Sequence, residues 1–357
     1  MPETATGDTS YASAIAPLGR LQADFDRRKE HAGQARLPPG APAADGSGSR
    51  MTGRADTRAG EETTMFYEVQ VTGGDGRAKG MAAALAVLNP SESRRLLAKA
   101  TAALPEVRHA LEHGTIIIGR GVTNAYVTEE LLGIRIEPKA GQTVGMVCRG
   151  ITTGNSGPPP CLHHVIRRGK VVEGADSKVE ILSFGPDDVF IKGANAIDPE
   201  GNAGIFTSSF VGGTIGMAWP VVTPRGSHLI MPVGLEKLIP SVIEAAKHTG
   251  LYHFKYSMGL PARLTPVVLG KVLTEIQALA VLAGVRATHI GSGGVGGSEG
   301  AVVLSIEGDE ERVERAFELL KSIKGEPPVT VPSTLYVDSA ERFGYDPAAQ
   351  LATLGGR

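Results

Sequence analysis

Three short stretches of the chain hold residue types that can do chemistry. Cys161-Leu-His163-His164 follows Pro158-Pro159-Pro160 and offers a thiol and two imidazoles on a stiffened loop. Such groups act as nucleophile, or as general acid and base, near neutral pH. One Cys-x-His falls far short of a four-ligand zinc set, so no metal is expected, and a rigid surface loop with incidental histidines is the alternative reading. Gly119-Arg120-Gly121-Val122-Thr123-Asn124 is of another kind: it leaves the apolar run Thr115 to Ile118 and enters a helical stretch that Thr123 or Asn124 could cap. Glycines at such a junction leave backbone N–H groups free at the helix start, and together with Arg120 these favour phosphate or carboxylate. A tight turn without a ligand is the bland alternative.

The third stretch is Lys192-Gly-Ala-Asn195-Ala-Ile-Asp198, at the end of the apolar run Val189 to Ile191. Lys192 and Asn195 are ligand-binding candidates. Asp198 either orients an imidazole or fixes a turn by side-chain to backbone bonds. Gly212-Gly213-Thr214 adds a further glycine-rich turn. The candidate catalytic residues are thus His163, His164 and Asp198. The candidate ligand-binding residues are Gly119, Arg120, Gly121, Thr123, Asn124, Lys192, Asn195, Gly212, Gly213 and Thr214.

The elements that must position these residues alternate between strand and helix. Asn89-Pro90-Ser-Glu92 signals a helix start, and Leu96, Leu97, Ala100 and Leu104 recur at helical spacing after it. Pro105 opens a second helix that Gly114 closes. Thr115 to Ile118, Thr143 to Cys148, Lys178 to Ser183, the run through Phe190, and Leu229 to Val233 read as strands, with a helix over about 240–247. This alternation predicts a Rossmann-like α/β domain with a mostly parallel sheet over 64–250. In such a sheet, ligands bind beyond the carboxyl ends of the strands. The loops after Ile118, Cys148 and Ile191 would then meet there, with His163 or His164 near Asn124 and Asn195.

Beyond that point the pattern changes. A strand near Leu251 to Tyr256, a helix over about 269–283, a hairpin of Arg286 to Ile290 with Ala301 to Ile306, a helix capped by Asp309, and Val329 to Val331 give the order of a ferredoxin-like α+β domain over 251–332. Gly291 to Gly300 has a G-x-G-x-x-G-like spacing, but a strand follows it, so it reads as a hairpin tip rather than a dinucleotide loop. No cofactor is expected.

Composition narrows the partners. The chain has 357 residues, 41% hydrophobic and 21% charged, with a formal net charge of -2. Nothing in that balance attracts nucleic acid, and the ferredoxin-like strands lack the aromatic pair that stacks bases. The longest apolar stretch, about 205–222, is broken by Gly, Ser, Thr and Pro, so no membrane span is expected. Two cysteines cannot make a disulfide framework, which points to a reducing, cytoplasmic setting. Residues 1–63 are rich in Ala, Gly, Pro, Thr, Asp and Arg and are expected to be a disordered extension, with Met65 opening the first strand-like run. Residues 333–357 read as a weakly patterned tail.

Gly119-Arg-Gly-Val-Thr-Asn124 resembles the phosphate-binding first loop of the superfamily that joins ribose-5-phosphate isomerase A, glucosamine-6-phosphate deaminase and the CoA transferases. Lys192-Gly-Ala-Asn195-Ala-Ile-Asp198-Pro resembles its second signature. Gly212 to Gly216, Leu229 to Val233 and Glu236-Lys237 resemble the region after it. The likeness spans roughly 114–237, and the Asn-Ala-Ile form is most similar to the lactate-utilisation branch. It implies a phosphate-binding fold acting on a sugar phosphate or an acyl-CoA, as an isomerase or transferase. The chain departs from the isomerases in two places. Asn195 and Ala196 stand where they carry an acidic pair, and Thr214 to Pro220 has no carboxylate where they carry a catalytic Glu. The expected partner is a small anionic metabolite, with a homo-oligomer left open. A non-catalytic ligand sensor or assembly subunit is the alternative function.

Overall fold

The structure is a computed structural model, and it describes residues 65–71, 80–155 and 164–333. The expected extension 1–63, the tail beyond Ser333, and Cys161 with His163 lie outside the described residues. In chain order the first elements are β1 (Met81–Leu88), α1 (Pro90–Ala103), α2 (Pro105–His113), β2 (Thr115–Ile118) and α3 (Val122–Leu132). Then come β3 (Gly145–Cys148), β4 (Ile151–Gly154), β5 (His164–Arg167), β6 (Lys170–Val171), α4 (Ser177–Glu180) and β7 (Val189–Ile191). The middle of the chain adds β8 (Ala196–Ile197), β9 (Ala203–Thr207), α5 (Gly213–Val222), β10 (His228–Pro232) and α6 (Val242–Lys247). The last are β11 (Arg263–Val267), β12 (Lys271–Leu273), α7 (Glu275–Ala283), β13 (Arg286–Ser292), β14 (Val302–Asp309) and α8 (Glu310–Ile323).

A mostly parallel six-stranded sheet, in the order β12-β10-β7-β2-β5-β6, organises the fold. Its first four strands are parallel, β5 runs antiparallel to β2, and β6 runs antiparallel to β5. Side chains alternate between its two faces, as the strand period of two requires. Ile116, Ile118, Val189, Ile191 and Ile230 pack in one core with Leu96, Leu97, Tyr126 and Leu279 from the helices. Ile117, Phe190, Leu229 and Met231 pack in the other, with Ile215, Ala218 and Val222 of α5. Burial on both faces explains why these strands read as unbroken apolar runs.

The helix starts follow local chemistry. The Glu92 carboxylate accepts from the Asn89 backbone N–H at 2.8 Å, and Pro90 takes the first helical position. Asp309 caps α8 by accepting from Arg312 N–H at 3.0 Å. An ion-pair cluster fastens α1 to α3. Arg95 reaches Glu129 at 2.5 Å, Glu130 at 2.8 Å and Glu326 at 3.0 Å, and its guanidinium lies 4.7 Å from the Tyr126 ring centroid.

Several expected elements take other forms. The stretch 178–183 is a helical turn, because the Asp176 carboxylate accepts from Lys178 N–H and starts a helix, and of its apolar residues only Ile181 is buried. Among the described residues Gly145–Cys148 pairs only with Ile151–Gly154 and stays outside the main sheet. Leu251 to Tyr256 forms turns and bends, and Phe66 makes a single bridge to Val272. The region 251–332 does not close a sheet of its own. Within it β12 joins the main sheet, and β13 and β14 are completed by β1, which runs antiparallel to β14, while Val329 to Val331 forms no strand. The described residues, from Met65 onward, belong to one compact unit.

Candidate functional site

The carboxyl ends of β2, β7, β10 and β12 lie side by side. The sheet ladder continues past them: Gly119 N–H donates to Ile191 O at 2.8 Å, Lys192 N–H to Ile230 O at 3.0 Å, and Val233 N–H to Leu273 O at 2.9 Å. Asn124, 1% exposed, locks two of these ends together. Its amide nitrogen donates to Gly119 O at 2.6 Å and Ile191 O at 3.3 Å, and its amide oxygen accepts from Gly193 N–H at 3.2 Å. Asn124 therefore does not cap α3, and neither does Thr123, which is buried. The N-cap is Gly121, with φ 157°, and among the described residues no side chain caps the first amides of the helix. Those amides are the anion-favouring end of the helix dipole.

Two lysines converge on the next strand end. Lys192 Nζ donates to Gly193 O at 3.2 Å and Lys237 Nζ to Ala194 O at 3.0 Å, so the two ammonium groups hold consecutive carbonyls. Gly119 makes room for this: a Cβ there would stand 2.8 Å from Lys192 Cδ. Both side chains are half-buried. Among the described residues neither ammonium forms an ion pair with a carboxylate. Burial pushes the Lys192 ammonium down to about 8, and the Lys237 charge adds to the shift. Burial, then Arg94, push Lys237 down to about 8 against the opposing pull of Glu236 and Glu275. Desolvated cations without a carboxylate in ion-pair contact are costly, and an anion relieves that cost.

Arg120 and His164 meet on the other side of β2. The Arg120 guanidinium donates to Thr143 O at 2.7 Å. Its Nε and the His164 Nε2 are buried with no hydrogen-bond partner among the described residues. Both residues line a pocket with Gly121, Asn124 and Gln142 whose volume is about 10 Å³, room for roughly one water molecule. His164 stands there because β5 is antiparallel to β2 and pairs its first residue with Ile118. Burial lowers the pKa of His164, partly opposed by Glu173, so its imidazole is neutral at pH 7 and able to accept a proton.

Asn195, Asp198 and Gly212 have structural partners. The Asn195 amide oxygen accepts from Phe206 N–H at 3.0 Å within the β8–β9 hairpin, away from Asn124. Asp198, 0% exposed, accepts from Asn202 N–H at 2.8 Å, Asn202 Nδ2 at 3.1 Å and Val242 N–H at 2.9 Å. It ties a turn to the start of α6 and holds no imidazole among the described residues. Gly212 is the αL N-cap of α5, and its hydrogen bonds are local, to Ser209 and Gly216. Replacing Asp198 with Ala should cost about 2–3 kcal/mol, because buried donors lose their acceptor. A denaturant melt checks this, and unchanged stability would return Asp198 to the chemical candidates.

Two further groups belong to this strand end. Lys237 was visible in sequence only as part of the family resemblance, although it follows the apolar run Leu229 to Val233 as Lys192 follows Val189 to Ile191. Glu275, fully buried at the start of α7, accepts from Leu235 N–H at 2.9 Å, and the Ser93 hydroxyl faces the same carboxyl. Burial raises its pKa. Its signal was the capping pattern Thr274-Glu-Ile-Gln277, hidden inside a longer helical spacing. Among the described residues no group of His, Cys, Asp and Glu side chains could hold a metal ion, and no helix is long and apolar enough to cross a membrane. Comparison with family models, curated proteins and solved structures gave no match.

Proposed function

We propose that the chain binds a small phosphorylated or carboxylated metabolite at the carboxyl ends of β2, β7 and β10. The observation that carries this reading is the pair Lys192 and Lys237: two desolvated ammonium groups with no ion-pairing carboxylate among the described residues, beside the uncapped start of α3. The six-stranded sheet is read as Rossmann-like, which puts the ligand where such sheets hold theirs. The resemblance to the superfamily of ribose-5-phosphate isomerase A, glucosamine-6-phosphate deaminase and the CoA transferases supports a sugar phosphate or an acyl-CoA as the ligand, and isomerisation or transfer as its chemistry. A second reading, a sensor or assembly subunit that binds without turnover, is favoured by Asp198, whose carboxylate is occupied by turn contacts.

A thermal-shift series tests the binding. Inorganic phosphate, sugar phosphates, malonate and acyl-CoA are compared at pH 7 with chloride of matched ionic strength. A specific anion at 100 times its Kd should stabilise the protein by about 2.7 kcal/mol. No shift beyond the chloride control with any of them would reject the site.

A further inference from the structure

The lysine pair has the arrangement of an imine-forming centre. Lys192 directly follows β7 and Lys237 ends the 3-10 turn Leu235–Lys237 after the neighbouring parallel strand β10, and their ammonium groups sit on the consecutive carbonyls Gly193 O and Ala194 O. Their surroundings differ. Lys192 is faced by one charged group, Lys237, whereas Lys237 is faced by Arg94, Glu236 and Glu275. Glu236 and Glu275 pull Lys237 toward its protonated form against burial and Arg94, a pull that Lys192 lacks, and Lys237 in turn disfavours the protonated form of Lys192. A cation beside an amine is one of the ways an enzyme makes a lysine nucleophilic at neutral pH. Gly119 lies against the Lys192 stem, where a side chain would collide with it, and the Lys192 side chain is half-buried.

We propose that Lys192 forms an imine with the carbonyl group of a small aldehyde or ketone that also carries a phosphate or carboxylate, with Lys237 as the neighbouring acid. This rests on the anion-binding reading above. The neutral Lys192 Nζ attacks the carbonyl carbon. As the C–N bond forms, the C=O π pair moves to oxygen, and a proton passes from the now cationic nitrogen to that oxygen to give a carbinolamine. Lys237 then protonates the hydroxyl, which leaves as water while the nitrogen lone pair forms the C=N bond, and the iminium nitrogen returns its remaining proton to the now neutral Lys237. Amine plus carbonyl thus gives imine plus water, with no change in oxidation state. The substrate's anionic group takes the place of the counter-charge missing at the uncapped start of α3.

Reductive trapping on the full chain tests this. The protein is incubated at pH 7 with glyoxylate and sodium cyanoborohydride, and the modified lysines are mapped by peptide mass spectrometry. Lys192 should be labelled about tenfold or more faster than exposed Lys170, because each unit of lowered pKa exposes tenfold more free amine. Uncharged propanal should show less preference for Lys192. Lys192→Arg should abolish the adduct without transferring it to Lys237, and Lys237→Gln should move the pH midpoint of labelling upward. Labelling of Lys192 no faster than Lys170, or preferential labelling of Lys237, overturns the proposal. A phosphate thermal shift on the same samples separates the failures. A normal shift with unlabelled Lys192 rejects the imine alone. The absence of both rejects the anion site and the imine with it.

Discussion

Replacing Arg95 with Ala should lower stability by about 3–5 kcal/mol, because it leaves buried carboxylates without their main counter-charge. In a unit of this size that corresponds to a fall in Tm of roughly 10 °C. Glu129 is fully buried; it also accepts from Ile136 N–H at 2.8 Å and meets Lys139 at 3.2 Å, so it keeps partial compensation. Burial alone would raise the Glu129 carboxyl, but Ile136 N–H, Arg95 and Lys139 together hold it below the usual carboxylate range. A carboxyl lowered in the folded state stabilises above its ordinary pKa, and that contribution is lost as pH falls below about 4.5 through its folded value. The parent should therefore lose stability on acidification in that window, and Arg95→Ala should lose less, having less to lose. Since Arg95 binds α1 to α3, the variant should also weaken any ligand held at the start of α3. Thermal melts over a pH series check both, and a variant within 1 kcal/mol of the parent would mean that the cluster stabilises nothing.

The second large effect has opposite signs for stability and binding. Lys192→Met with Lys237→Met removes two desolvated charges, so the ligand-free protein should gain on the order of 1–2 kcal/mol at pH 7, after allowance for partial solvent screening. Anion binding should disappear. The pH dependence follows from the same groups. Both lysines are lowered from 10.5 to about 8, so between these values the unfolded chain holds protons that the folded chain has shed. Stability of the free parent should rise with pH through that window, and the double variant should lack the rise. Anion affinity should fall over the same range, as the ammonium groups neutralise. Denaturant titrations at pH 7 and pH 9.5, with and without phosphate, read all of these. A double variant that is less stable and still binds phosphate would place the anion elsewhere.

Much of the main sheet was legible because its strands are buried on both faces. Thr115–Ile118, Val189–Ile191 and His228–Pro232 appear as short apolar runs ending in small residues, and no other element type suits them. The helices with local caps were equally plain: Asn89-Pro90 before α1 and Asp309 before α8 act within a few residues. What escaped depends on distant partners. Met81–Leu88 is alanine-rich and poor in strand formers, and it is a strand because β14 pairs with it along its whole length. Lys271–Leu273 fits the helical spacing of the residues after it, and only the neighbouring β10 makes it a strand.

The site shows the same division. Lys192 was legible as the polar residue ending an apolar strand. Asn124 was read as a cap or ligand, because its actual task, joining Gly119 O, Ile191 O and Gly193 N–H, exists only once β2 and β7 are neighbours. Lys237 lies 45 positions after Lys192 in the chain, and only the β7–β10 pairing brings the two strand ends together. Asp198 looked like an acid-base residue because sequence cannot say how many backbone donors a carboxylate already serves.

The most direct test of the anion site is isothermal titration of inorganic phosphate into the full chain at pH 8, in buffers of different ionisation enthalpy. An anion that settles beside Lys192 and Lys237 raises their pKa, so binding must take up protons. The predicted result is saturable binding with an uptake of about one proton, lost in the double Met variant. Binding without proton uptake, or binding that the double variant retains, would contradict a site at these strand ends.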